Sequence, residues 1–194
     1  MESKMKVLVA CEFSGIVRDA FIARGHDAWS CDLIPSDRPD NHIQDDVLKH
    51  LNDGWDLMIA FPLCKYICNG GNNWLNRRPD LAWKENRELG ASFFMEFINA
   101  SIPKIAVENP IGCMSSKYRK PDQIIHPWMF GHEYRKDTCL WLKNLPKLIP
   151  TKITTGRKKL DFWSTERHKD GKDRKAITFQ GIADAMADQW GSIT

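Results

Sequence analysis

The stretch KVLVACEFSGIVRDAFIARG, Lys6 to Gly25, changes its periodicity halfway. Lys6 to Cys11 is an unbroken apolar run of strand length, as a strand covered on both faces requires. Glu12-Phe13-Ser14-Gly15 then turns the chain. From Ile16 onward, Val17, Ala20, Phe21 and Ala23 fall at helical spacing, and Gly25 supplies a helix stop. A strand, a tight turn and a helix in that order form the opening unit of a parallel α/β sheet.

Outward from this unit the alternation recurs. Asp27 to Asp32 (DAWSCD) reads as a second strand, closed by Pro35, and Val47 to Leu51 as a short helix. Trp55 to Ala60 is a third strand. Leu81 to Ala100 is the longest helical pattern, with Leu89, Phe93, Phe94, Phe97 and Ile98 on one side. Ile102 to Val107 is a fourth strand, running straight into Glu108-Asn109-Pro110. After Pro110 the pattern weakens, and residues 111–136 read as loop. Thr138 to Leu142 is a strand in a hairpin, residues 143–175 a long loop or flexible arm, and Ile182 to Trp190 a closing amphipathic helix. Parallel sheets bind ligands at the carboxyl ends of their strands. Four successive strand ends carry chemistry here: Glu12, Ser14 and Gly15; Asp32; Cys64; and Glu108 with Asn109.

The 194 residues suit one domain with a small appendage, and are enough to bury a core without staples. A 42% hydrophobic and 27% charged composition is ordinary for a globular protein in water. No apolar run approaches the roughly 20 residues of a membrane span, and the start is too short for a signal peptide. A cytoplasmic protein is expected, with no membrane partner and a monomer favoured. The six cysteines are scattered and read as reduced thiols; CxxxC at Cys64 and Cys68 has no second pair, and no metal site is expected. The formal charge of +3 hides an asymmetry: residues 143–175 carry +7 and the rest −4. A basic segment on a mildly acidic body points to a polyanionic partner, although a solvated surface would look the same.

The stretch AFPLCKYICNGG, Ala60 to Gly71, places Cys64 in a loop at a strand end. A structural cysteine prefers mid-core, whereas a working one prefers a loop presented by a rigid scaffold. Gly15 lets the backbone approach a ligand, as it would in an ordinary βα turn. Asp32 stands where an acid commonly grips ribose hydroxyls, or simply caps a turn. Glu108, if protonated, can donate a hydrogen bond to a base, or pair with an arginine.

Phe13-Ser14-Gly15, Asp32, Asp45-Asp46-Val47, Phe61-Pro62-Leu63-Cys64 and Glu108-Asn109-Pro110, in this order and spacing, resemble the S-adenosylmethionine-dependent DNA cytosine-5 methyltransferases, in particular the short phage-type members. The resemblance covers roughly residues 5–112, weakens through Arg135–Leu142 and ends with Gly181–Trp190. It implies a Rossmann-like class I methyltransferase sheet with helices on both faces and a minimal target-recognition region. It implies a cofactor-binding catalytic core over 1–112, a small recognition region with a basic segment over 113–179, and a helix over 180–194 returning to the core. Cys64 would attack C6 of a flipped cytosine, and Glu108 would bind its N3/N4 edge. Phe13, Ser14, Gly15, Asp32, Leu33, Asp46 and Pro62 would form the S-adenosylmethionine site. Asn109, Arg135, Lys136, Arg157, Lys158 and Lys159 would face DNA, with Trp128, Phe130 and Trp163 as candidate stacking residues.

The chain departs from the family at marked places. Leu63 stands where the family has proline, and Lys65 follows the cysteine. Val17-Arg18 replaces a glycine pair, Asn109 is followed by proline, and Arg135-Lys136 replaces an RxR pair. A cation at Lys65 would lower the pKa of Cys64 or bind an anionic group, which makes Lys65 a third catalytic candidate. Two other readings stay open. One is a binder or decoy that keeps the fold without turnover. The other is an enzyme acting on single-stranded nucleic acid, a nucleotide or an altered cofactor.

Overall fold

The computed structural model describes residues 4–70, 81–156, 158–159 and 177–193. Its centre is a seven-stranded sheet. β1 (Lys6–Ala10), β2 (Asp27–Asp32), β3 (His42–Gln44), β4 (Leu57–Ala60) and β5 (Lys104–Pro110) run parallel. β8 (Thr138–Lys143) lies antiparallel beside β5 and β6 (Gln123–Ile125) antiparallel beside β8, giving the order β3-β2-β1-β4-β5-β8-β6. A separate parallel pair joins β7 (Tyr134–Arg135) to β9 (Lys158–Lys159).

Both sheet faces are covered, which is why the strands read as continuous apolar runs. Val7, Val9, Leu57, Ile59, Ala106 and Leu140 point to one core; α1 (Ile16–Ile22) and α4 (Gln180–Gly191) cover it with Phe21, Met186 and Trp190. Leu8, Ala10, Met58, Ile105, Val107 and Trp141 point to the other, covered by α2 (Leu81–Asn99) and the 3-10 turn Val47–His50. The expected Rossmann-like α/β architecture with helices on both faces is therefore present. No described helix is long and apolar enough to cross a membrane.

The structure differs from the sequence reading at several elements. Leu89 is 66% exposed. The buried stripe of α2 is Ala91, Phe94 and Phe97, with Phe94 edge-on to Trp141 at 5.0 Å. At 100° per residue Leu89 lies about 140° from the centre of that stripe, outside the contact. β3 was not expected; it is short and polar, and its pairing with β2 is reinforced by Ser30 Oγ and His42 Nδ1 at 2.9 Å. Within 111–136, read as loop, lie α3 (Met114–Lys117), β6, the 3-10 turn Pro127–Met129 and β7.

The first part of the basic segment is docked rather than free. Trp190 Nε1 donates to the Pro146 carbonyl at 3.0 Å. The Leu148 N–H donates to Gln123 Oε1 at 2.8 Å, and the Ile149 N–H to Gln189 Oε1 at 2.8 Å. Leu148 is buried against the α1/α4 core. Arg157 and Trp163 lie outside the described residues.

Candidate active site

The sheet order reverses at β1: β2 and β3 lie on one side of it, β4 and β5 on the other. Such a switch point opens a crevice at the carboxyl ends of the two central strands, here β1 and β4. The sequence candidates fall on its two sides.

On the β1–β3 side, the turn after β1 is built around Glu12. Its buried carboxylate accepts the Ser14 hydroxyl and the Val17 N–H, each at 2.9 Å. Ser14 Oγ in turn accepts the Ile16 N–H at 3.3 Å. These contacts satisfy the open N–H groups at the start of α1. Burial pushes the Glu12 carboxyl up, and the Val17 N–H and Ser14 hydroxyl pull it back. Gly15 has φ 72°, and a Cβ there would stand 2.5 Å from the Arg18 guanidinium. Buried Arg18 donates to Ser30 Oγ and to the Arg38 carbonyl, each at 3.0 Å, and pairs with Asp19 at 2.7 Å. Sequence reasoning gave Arg18 no role; its only signal was the Val17-Arg18 departure from a glycine pair. Ser14 thus braces the turn through its hydroxyl, and Gly15 lets the backbone pass close to Arg18.

Phe13 is buried, and its carbonyl accepts Ser36 Oγ at 2.8 Å. Asp32 closes β2, and its Oδ1 accepts the Ile34 N–H at 3.2 Å. Leu33 beside it is 72% exposed. Asp46 caps the 3-10 turn, accepting the Leu48 N–H at 3.1 Å. Cys11 sits between these acids in a left-handed conformation, φ 58°. Burial first, and then Asp32, Cys31 and Asp46, push its thiol far up. This half of the crevice is acidic and exposes the apolar Leu33 and Ile34 at its edge.

On the β4–β5 side, the Phe61–Cys64 loop is tied to β5. Buried Asn109 donates its amide to the Pro62 carbonyl at 2.9 Å. The Asn109 side chain is thus directed into the protein and not toward an external strand. The Cys68 N–H donates to the Cys64 carbonyl at 2.9 Å, closing one helical turn after the loop. The Cys68 backbone pairs with Gly112 beyond β5, where a Cβ would stand 2.0 Å from the Ile67 carbonyl oxygen.

Cys64 is half-buried. Its thiol is pushed far up, first by a hydrogen bond with Cys68, then by burial and by the charges of Cys68 and Glu108, while Lys136 pulls it down. Burial pushes the Glu108 carboxyl up as well, and again Lys136 opposes. Lys136 is therefore the cation common to both groups. Lys65, expected in that place, is exposed, with its ammonium 5.1 Å from the centroid of the Tyr66 ring. Being next in sequence to Cys64 did not aim its side chain at the thiol. Lys136 is anchored through its carbonyl, which accepts His126 Nδ1 at 3.2 Å; the same His126 nitrogen lies 3.3 Å from Asp137. A narrow pocket beside these groups is lined by Phe61, Glu108, Lys136, Thr138, Phe179 and Met186. Its far wall is the start of α4, which was expected only to return to the core.

Beyond Lys136 the chain runs back into β7. Arg135 is exposed, its Nε 3.6 Å from Asp137, and its backbone pairs with Lys159. Lys158 is exposed and lies 3.1 Å from Glu133. Trp128 stacks on His126 at 5.6 Å, and Phe130 is buried. No group of three or more metal-ligating side chains comes together among the described residues.

No family model and no curated protein matches the chain. Among solved structures, it is similar to a protein described as a DNA modification methyltransferase encoded within a prophage of E. coli, with 17% identity over 78% of this chain and a TM-score of 0.46. It is also similar to the Entamoeba histolytica methyltransferase EhMeth, with 11% identity over 79% of this chain and a TM-score of 0.47. It covers 52% and 58% of those two chains, little more than half their length.

Proposed function

We propose that the protein transfers a methyl group from S-adenosylmethionine to C5 of cytosine in DNA, with Cys64 as covalent nucleophile. The observation that carries this reading is that Glu108 and Lys136 line one pocket beside the sheet's switch point, next to the Cys64 loop that Asn109 ties to β5. A thiol, a carboxyl whose pKa burial raises and a nearby cation suit attack on an electron-poor ring.

The residues on the β1–β3 side fit the cofactor. Asp32 would take ribose hydroxyls and exposed Leu33 would lie against the adenine, on a floor made by the Phe13–Gly15 turn. Asp46, already a cap through one oxygen, would add only its second. When bound, S-adenosylmethionine supplies an electrophilic methyl group. Glu108 would donate its proton toward N3 of the flipped base and accept from its amino group. The Cys64 thiol would give its proton to water as its sulfur bonds to C6, pushing the C5=C6 pair onto C5, which takes the methyl group. Water would then take the C5 proton, the C5–H pair reforming C5=C6 as the S–C6 bond breaks with the sulfur leaving as thiolate, and N3 would return its proton to Glu108. Lys136 would stabilise the negative charge that develops nearby. Arg135 and Lys158 would hold phosphates outside the pocket.

The reading is tested by expressing wild type and Cys64→Ala in a host without cytosine methylation and quantifying nucleosides by mass spectrometry. 5-Methylcytosine should appear with wild type alone. Modified cytosine at equal levels from both proteins would refute the proposed role of Cys64. One observation favours a second reading, a binder without turnover: the resting Cys64 thiol is pushed far up, away from the reactive thiolate. Soluble protein that binds S-adenosylmethionine yet leaves no modified base would select it.

A further inference from the structure

The pocket beside Glu108 holds two phenylalanine rings that the roles above leave idle. Phe61 follows β4, and Phe179 directly precedes α4; both are half-buried and line the pocket with Glu108, Lys136 and Thr138. Phe179 rests on an aromatic platform of its own. Its ring lies 5.0 Å from the His132 ring and 5.7 Å from the Tyr134 ring, centroid to centroid. The backbone beside it is locked to the same segment. The Gly181 N–H donates to His132 Nε2 at 3.0 Å, and a Cβ at Gly181 would stand 1.9 Å from the Phe130 carbonyl oxygen. The start of α4 is therefore fixed against residues 130–134, and the Phe179 ring is the part that can turn. Movement is needed, because the pocket at rest encloses about 10 Å³, room for one water and not for a base.

We infer that Phe179 is the ring on which the flipped base stacks: it turns to admit the base, then covers one of its faces while Glu108 meets its edge. A pyrimidine presents a flat π-face and, in the ring plane, a hydrogen-bonding edge. The pocket offers a ring for the face, and a carboxyl, an ammonium and a hydroxyl for the edge. Phe179 would thus contact substrate, although it belongs to the segment that closes the fold. A residue that only fills the core needs apolar volume, whereas stacking needs a planar ring. The inference rests on the proposed reading of the pocket as a base site and deepens it.

The test is fluorescence anisotropy of the whole chain with two labelled duplexes. One carries a single unpaired cytosine, and the other an abasic residue at the same place. The cytosine is already unpaired, so no recognition sequence is needed to extrude it. The abasic duplex accounts for backbone contacts and bending. Wild type should bind the cytosine duplex about tenfold or more tightly than the abasic one. Phe179→Leu, apolar but without a ring, should lose most of that preference while its affinity for the abasic duplex holds. Phe179→Tyr, which keeps a ring, should retain the preference. An equal preference in wild type and Phe179→Leu would overturn the inference alone. Equal loss in both variants would assign the effect to packing and overturn it too. No preference in wild type would overturn it together with the reading of the pocket as a base site. Should Phe179→Leu fail to fold, Phe179→Met carries the same comparison. Binding needs no turnover, so absence of modified cytosine would leave this result standing.

Discussion

Asn109 joins the two loops of the site with one buried amide. Its hydrogen bond to the Pro62 carbonyl fixes the loop that carries Cys64 relative to the strand that carries Glu108. Asn109→Ala should cost about 1–3 kcal/mol of stability, since the Pro62 carbonyl would lose its partner in a dry place. It should lower modification more than a surface change of equal stability cost, because Cys64 would lose its aim. Urea denaturation together with nucleoside analysis of the same variant measures both. At this scale the sequence was only partly readable. Cys64, Glu108 and Asp32 stood out because strand ends are few and reactive side chains there are conspicuous. Lys136 was assigned to phosphate and Lys65 to the thiol because sequence adjacency says nothing about direction: residue 65 turns toward Tyr66, whereas residue 136, from another loop, lines the pocket with Glu108. Asn109 looked like an outward group because its partner is a backbone carbonyl 47 positions away.

The elements that hold these residues depend on a few close approaches. Gly15 takes φ 72° in the turn that starts α1, and a Cβ there would meet the buried Arg18 guanidinium at 2.5 Å. Gly15→Ala should therefore destabilise the protein by upwards of about 1 kcal/mol, seen as a lower melting temperature. The residue just past the end of α1, Arg24, pairs at the surface with Asp188 of α4, beside the apolar core the two helices share. The Arg24 partner keeps the Asp188 carboxyl below its ordinary range. A carboxyl with a depressed folded-state pKa stabilises above its unfolded pKa and loses that contribution as pH falls through the folded value. Asp188→Asn should therefore flatten the acid limb of a stability–pH profile, with a small effect near neutrality because the pair is exposed. No such flattening would show that the pair does not link the helices. Elements with long apolar runs, β1, β2, β4 and β5, were legible in sequence. β3 and β6 were not, since three residues such as His42-Ile43-Gln44 carry no period and become strand only by pairing with a neighbour already in place.

On the scale of the molecule, one sheet with its reversal at β1 divides the site into an acidic half and a half built on thiol, carboxyl and lysine. The division follows from strand order, which the sequence did not disclose; it disclosed the alternation of strands and helices and the residues at their ends. The basic segment is only partly an appendage, since Trp190, Gln189 and Gln123 bind residues 146–149 to the body. If Arg135 and Lys158 hold phosphates, DNA affinity should fall steeply with added salt, and Arg135→Ala with Lys158→Ala should reduce that slope. Fluorescence anisotropy of a labelled duplex across a salt series measures it, and an unchanged slope would place the contacts elsewhere.

The central claim is a covalent bond from Cys64 to a cytosine ring. Replacing the C5 hydrogen of cytosine by fluorine removes the proton whose loss would release the sulfur, so an adduct formed with S-adenosylmethionine present should persist. The direct measurement is the intact mass of the protein after incubation with S-adenosylmethionine and an oligonucleotide containing 5-fluorocytosine, followed by peptide mapping. The account predicts a protein–DNA adduct located at Cys64, absent in Cys64→Ala. A stable adduct at another residue, or methylation of ordinary cytosine with no adduct to the fluorinated base, would contradict it.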